Sequence, residues 1–320
     1  MGHVLGDGVS TIVAEGEVGD ARQIKARAQW RRFFGRLPAI VGTLPMAAVA
    51  IGLFVIGIAF TVYLSFTNSK LFPNYNLIGF RQYEMLWSTQ RWVQSVENIW
   101  VFGIGQIVLS MVFGFLLAVA MDQRIRAEDT FRTIFLYPFA LSAVVTGLIW
   151  QLMLDPNWGL QAAVRSWGFP EFRFAPLADG ETALFGMIVA TIWNGVGFTM
   201  AILLAGLRGI DDEIWKAARV DGIPPWRVYI WIVIPMMRGS IATALILLTV
   251  GAVRTFDIVI AMTGGGPGIS TQVPATYVID SIGARDVAHG MAAATCMLLP
   301  IVVLIVVQAI VAARRRRRAA

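Results

Sequence analysis

Six stretches of this chain are apolar over about 20 residues or more, the length an α-helix needs to cross a hydrocarbon core of about 30 Å. They run from Leu37 to Phe66, Val96 to Met121, Thr133 to Leu154, Ala183 to Leu207, Ser240 to Met262 and Val287 to Ala312. Backbone amides in lipid must be paired inside their own segment, so each stretch reads as a helix and the chain as an all-α membrane protein with six transmembrane helices. Composition agrees: 57% of the 320 residues are hydrophobic and 14% charged, against about 25% charged in a soluble domain. Lone Cys296 allows no internal disulfide and no cysteine metal cluster. The two histidines, His3 and His289, stand alone. With no carboxylate cluster and no metal-ligand spacing, a membrane-embedded enzyme is the weaker reading.

Lys and Arg retained in short connections mark the cytoplasmic side of a membrane protein. Of the 26, Arg22, Lys25, Arg27, Arg31, Arg32 and Arg36 precede the first span, and Arg124, Arg126 and Arg132 follow the second. Arg208, Lys216, Arg219, Arg227 and Arg238 follow the fourth, and Arg314 to Arg318 follow the sixth. On the other side lie only Lys70, Arg81, Arg91, Arg165, Arg173 and Arg285, while Arg254 falls within a span. Both termini are therefore expected in the cytoplasm of a cell whose inner (plasma) membrane holds the chain. The expected domains are a cytoplasmic tail over 1–36, a membrane domain over 37–312 carrying a cytoplasmic loop at 208–238, and a basic tail over 313–320. The acids Asp7, Glu15, Glu17 and Asp20 near the start argue against a cleaved signal peptide. The net charge of +6 lies beside the spans and not in a stripe with interleaved aromatics, so no nucleic-acid partner is expected.

The loop DDEIWKAARVDGIPPWRVYIWIVIP, Asp211 to Pro235, mixes charges with Trp215, Ala217, Ala218, Val220 and Trp226. Asp211 or Asp212 suits a helix N-cap, with acids in the first turn and Lys216 and Arg219 later. Gly222 permits a left-handed closing residue, and Pro224 and Pro225 prevent continuation, so a second helix is expected near Trp226. The result is a short helix, a turn and a second helix, suited to a partner protein.

This segment resembles the cytoplasmic loop of binding-protein-dependent ABC importer permeases, whose pattern is Glu-Ala-Ala, two residues, Asp-Gly-Ala, then Trp, an aromatic and Leu-Pro. Ala217, Ala218, Asp221, Gly222, Trp226, Tyr229 and Pro235 stand at those spacings; Lys216 stands where the pattern has Glu, Ile223 where it has Ala and Ile234 where it has Leu. Phe131 to Leu160 and Phe256 to Val278 are similar to the third-span and fifth-span motifs of the carbohydrate-uptake (maltose/glucoside-type) branch. The resemblance, covering Leu37 to Ala312, implies the transmembrane domain of a type I ABC importer. It implies that Glu213, Lys216, Ala217, Ala218, Asp221, Gly222 and Trp226 contact an ATP-binding subunit. It also implies a complex of two homologous permeases, an ATP-binding subunit dimer and an extracytoplasmic solute-binding protein, with sugar as the substrate. Gly264 to Gly266 lack the Lys and Ser/Thr of a phosphate-binding loop. This chain is thus expected to bind no cofactor itself, ATP and Mg belonging to the partner. Glycerol phosphate or a polyol is the alternative cargo. A stand-alone secondary transporter is the alternative class, and would call for internal inverted repeats.

Polar residues at membrane depth carry the remaining expectations. Arg254 falls about 22 Å into its span at 1.5 Å per residue, where an unpaired Arg costs roughly 2.5 to 3.5 kcal/mol. Asp257, one turn on, offers either an ion pair or, with Arg254 and Thr255, a set of groups facing the pathway. Trp150 and Gln151 on the third span and Trp193, Asn194 and Thr199 on the fourth combine stacking faces with planar polar groups, as sugar recognition requires. The tryptophans also suit a membrane interface with no ligand role.

Overall fold

The computed structural model describes residues 42–123, 127–300 and 302. The expected tails over 1–36 and 313–320, most of the second half of the sixth stretch, and Arg124 and Arg126 lie outside the described residues. Two units divide at Phe60 and Thr61. In the first, the described residues form most of helix α1, Gly42–Ser65, whose backbone widens to a π-turn over Ile51–Ile56.

The second unit is all-helical among the described residues, with one isolated bridge between Thr67 and Leu77. Its centre is a pair of long helices, α3 (Gln90–Asp122) and α7 (Ala183–Leu207), with the short α2 (Arg81–Ser88) before them. The buried face of α3 includes Phe102, Gln106, Ser110, Gly114, Ala118 and Met121, nearly one residue per turn, as a helix packed along one side requires. Small residues bring the two helices together. A Cβ on Gly105 would lie 3.0 Å from Ile188, and one on Gly114 2.8 Å from Thr199. These contacts advance in the same direction along both chains, so α3 and α7 run parallel, as the second and fourth of alternating crossings must.

The third and fifth stretches are not the straight helices that hydropathy predicts. The third is α4 (Glu128–Leu136) with a 3₁₀ turn at Tyr137–Ala140, then α5 (Ala143–Leu154), bent by 99°, and the short α6 (Leu160–Ser166) follows it. Pro138 has no N–H to continue the ladder, and Leu141 is extended. Ser142 then starts a new helix, its side chain accepting from the Val145 N–H at 3.2 Å. The fifth, expected from Ser240, is preceded by α9 (Pro225–Met236), against which α10 (Arg238–Val253) is bent by 74°. Pro235 and a π-turn over Val228–Val233 precede that bend, both recognised causes of kinks. A second interruption at Arg254 to Phe256 precedes α11 (Asp257–Met262). Arg254 therefore stands in a turn and not inside a continuous span.

Three helices, α1, α3 and α7, are individually long and apolar enough to cross a membrane, and counting each bent pair as one crossing makes five. The expected count of six is not reached among the described residues, where the sixth stretch appears as the shorter apolar helix Val287–Pro300. At the end where α3 begins, Arg91 pairs with Asp280 at 3.0 Å. Gln272 donates to the same carboxylate at 2.9 Å, and the Asn98 amide donates to the Gln272 carbonyl at 2.8 Å.

Candidate functional site

At the opposite end, α7 leads into α8 (Asp212–Val220). Asp211 is extended, and its carboxylate accepts from the Glu213 N–H at 3.0 Å, so the expected cap is present. The helix closes in a Schellman turn. The Gly222 N–H donates to the Arg219 carbonyl at 3.2 Å and the Ile223 N–H to the Ala218 carbonyl at 3.1 Å. Gly222 has φ +67° and open space where a Cβ would stand, so its backbone angle demands glycine and crowding does not. Pro224 then caps a helix that Pro225 begins.

The inner side of α8 is anchored. Ala218 is buried in a cluster with Met121, Leu203, Leu207, Val228 and Val233, and Ile214, Trp215 and Ile223 pack against it. Trp215 meets Tyr229 edge-on at 5.5 Å, and Tyr229 in turn meets Phe115 on α3 at 6.2 Å. At about 100° per residue, the buried arc through Ile214, Ala218 and Trp215 leaves Lys216, Val220 and Glu213 at the centre of the outer face. All three are exposed, as are Ala217, Asp221 and Gly222. Trp226 is exposed too, with the Arg227 guanidinium 5.0 Å over its ring. Of the seven residues expected to contact a partner, only Ala218 is therefore turned inward.

Two further groups at this end were not among the contact residues expected from sequence. Val220 is 87% exposed, and its position across the helical wheel from Ala218 would have revealed it. Arg208, read only as an orienting charge, donates to Glu128 at 2.6 Å and to the Met121 carbonyl at 3.3 Å, and lies 3.7 Å from Asp122. It fastens the ends of α3 and α7 to the start of α4. No spacing rule links Arg208 to a carboxylate 80 residues earlier.

The polar residues at membrane depth separate into four groups. Trp150 and Trp193 meet edge-on with centroids 6.0 Å apart, joining α5 to α7. Gln151, Arg254 and Asp257 are exposed and their side chains make no hydrogen bond or ion pair among the described residues, so the ion pair considered between Arg254 and Asp257 is not formed. Gly147 brings α5 and α11 together, since a Cβ there would lie 2.5 Å from Ala261. These five residues thus lie on α5, α7, α11 and the turn that precedes α11. Thr199 and Thr255 are turned into packing: Thr199 is buried against Gly114 with its hydroxyl on the Gly195 carbonyl, and Thr255 donates to the Gly251 carbonyl at 3.2 Å. Asn194 spends its amide within the chain, its Nδ2 donating to the Pro138 carbonyl at 2.7 Å and to Thr146 Oγ1 at 3.0 Å.

Residues 110–317 match the family described as binding-protein-dependent transport system inner membrane component. A probable ABC transporter permease of Pyrococcus horikoshii is 35% identical over 267 residues, 82% of this chain and 91% of its own length. The xylose/arabinose import permease XacH of Haloferax volcanii is 31% identical over 248 residues, 76% of this chain and 78% of its own length. The fold is that of a chain in the crystal structure of a bacterial ABC transporter involved in the import of the acidic polysaccharide alginate. The two superpose with a TM-score of 0.73 at 21% identity, over 90% of this chain and 98% of that one. The matched span holds both bent helices, α7 and the capped α8, and this chain belongs to the family of binding-protein-dependent transport system inner membrane components, the permeases of ABC transporters.

Proposed function

We propose that the chain forms half of the translocation pathway of an ABC sugar importer. In this reading a second homologous permease completes the pathway, and an extracytoplasmic solute-binding protein delivers the sugar. The 208–238 loop faces the cytoplasm, as the distribution of Lys and Arg requires, and seats α8 on a separate ATP-binding subunit. ATP and Mg belong to that subunit. Trp150, Gln151, Trp193, Arg254 and Asp257 are the residues of this chain closest in chemistry to a sugar site: aromatic faces for the C–H surface, and an amide, a guanidinium and a carboxylate for hydroxyl pairs.

The observation that carries the reading is the division of α8 into two faces. Ala218, Ile214 and Trp215 fix it to the transmembrane core, while Glu213, Lys216, Ala217 and Val220 stand outward. A push on the outer face is therefore delivered to packed helices and not dissipated in a loose loop. Alternating access needs such a rigid link between ATPase closure and helix movement.

The test is a set of single-cysteine variants in a Cys296→Ser background, with Ala217→Cys and Val220→Cys on the outer face and Ala218→Cys on the inner. Cross-linking in membranes of cells expressing the whole importer should join the first two to an ATP-binding subunit and leave the third unreacted. Failure of both outer positions to reach any ATP-binding protein, or sugar uptake by the purified chain alone, overturns the reading. Gly222→Val should lower uptake at normal membrane insertion, because a β-branched residue in the left-handed region costs about 1 to 2 kcal/mol or more and opens the Schellman turn. A ligand screen on the cognate binding protein then decides between sugar and glycerol phosphate or a polyol.

A further inference from the structure

We infer that Asn194 is a positioning residue that pins the bend of the third span from outside. Breaking a helix inside a membrane strands carbonyls that water cannot reach. At this break the Pro138 carbonyl accepts from the Leu141 N–H at 3.1 Å, and its second lone pair accepts from Asn194 Nδ2. The other proton of the same amide goes to Thr146, on the far side of the break. One side chain of the continuous helix α7 thus holds both arms of the bent one.

Two neighbours of Asn194 on α7 press the first arm into the same place. Gly197 lies so close to the Phe135 carbonyl that a Cβ would collide with it. Phe198 stacks on Phe139 with centroids 4.4 Å apart and planes within 3°. At the start of the second arm Val144 and Val145 are exposed, Thr146 is the first buried residue, and Gly147 beside it packs against Ala261 of α11. The Thr146 hydroxyl is therefore where α7 takes hold of α5, next to its contact with α11. Trp150 lies four residues on, one turn along the same face, and packs against Trp193, the residue before Asn194. Asn194 acts on the pathway through α5, by fixing where Trp150 and Gln151 stand.

This inference deepens the importer reading, which supplies the reason a fixed angle matters, but its test needs neither partner nor cargo. The full chain, with Cys296→Ser and spin labels at Thr130→Cys and Asn157→Cys, is placed in lipid nanodiscs and the label-to-label distance distribution is measured. Thr130 lies on α4 and Asn157 just beyond α5, both exposed, so the distance reports the angle of the joint. With Asn194 intact the distribution should be narrow. Asn194→Leu fills the space without donating, and should shift or broaden it by about 5 Å, the travel of an arm of about 18 Å swung through about 15°.

Asn194→Asp supplies the discriminating readout. A carboxylate facing two acceptors repels them, whereas a protonated carboxyl donates once. At pH 8 this variant should behave like Asn194→Leu, and at pH 5.5 its distribution should return towards that of the parent, while Asn194→Leu stays unchanged with pH. A residue that only fills space would show no such dependence. Thr146→Val, which leaves the first arm held, should give a smaller shift of the same kind and serves if the Asn194 variants do not insert. Parent-like distributions in Asn194→Leu, or in Thr146→Val where that is the variant measured, overturn the inference, as does an Asn194→Asp profile flat with pH. If the parent chain behaves as described but recruits no ATP-binding subunit, the importer reading fails and the joint stands.

Discussion

Helix α7 and the broken third span are built from similarly apolar sequence, yet one runs 25 residues without interruption and the other turns through 99°. Glycine does not explain the difference, because α7 contains Gly186, Gly195, Gly197 and Gly206. What separates them is the use made of each weak point. In α7 a missing side chain becomes a contact: Gly197 receives the Phe135 carbonyl and Gly206 receives Ser240. In the third span the missing donor of Pro138 becomes a break, and Ser142 starts afresh beyond it. The continuous helix is the one that every bent element leans on.

That contrast can be broken at its strongest point by Gly197→Ala. A methyl group directed at the Phe135 carbonyl should force α4 from α7 and cost about 3 kcal/mol or more, at the upper end of overpacking effects, read as a large loss of thermal stability in detergent. Gly206→Ala should cost about 1 to 3 kcal/mol, since the Ser240 hydroxyl, 2.5 Å from the added atom, can turn aside but its Cβ, at 2.7 Å, cannot. Pairing it with Ser240→Gly should recover most of the loss, and no recovery would mean that the backbone and not Ser240 sets the spacing. Ser142→Ala removes the cap that restarts the third span and should cost about 1 kcal/mol, with the bend preserved because Asn194 still holds it. The smallest effect belongs to Gly195→Ala. Nothing lies within 4 Å of the added methyl, so helix propensity favours alanine by as much as about 1 kcal/mol. A melting temperature equal to or above the parent's would separate the packing glycines of α7 from the one that is merely tolerated.

The two regions also differ in how far sequence revealed them. The limits of α7, Ala183 and Leu207, are the ones hydropathy gives, because the helix begins and ends where polarity changes. The loop after it was legible for a related reason: Asp211, Gly222 and Pro225 each satisfy a local geometric demand within a few residues. The bends were not legible. Apolar content sums over a window and carries no direction, so Thr133 to Leu154 scores as one crossing although its two arms stand nearly at right angles. The same blindness put Arg254 inside a helix, where the structure has a turn closed by the Phe256 N–H on the Arg254 carbonyl at 2.8 Å. Asn194 was visible as a polar group needing partners. That those partners stand 56 and 48 residues away, on either side of a break, could not be read from its neighbours.

Arg208 gives this base a mechanical character. One guanidinium ties the last turn of α3, the first turn of α4 and the end of α7, and it stands three residues before the cap of α8. A displacement entering through α8 is thus shared among three segments at their common corner, and none can advance alone without giving up a charged bond. The corner is built like a rivet in a frame, with the ends of three struts held at one point.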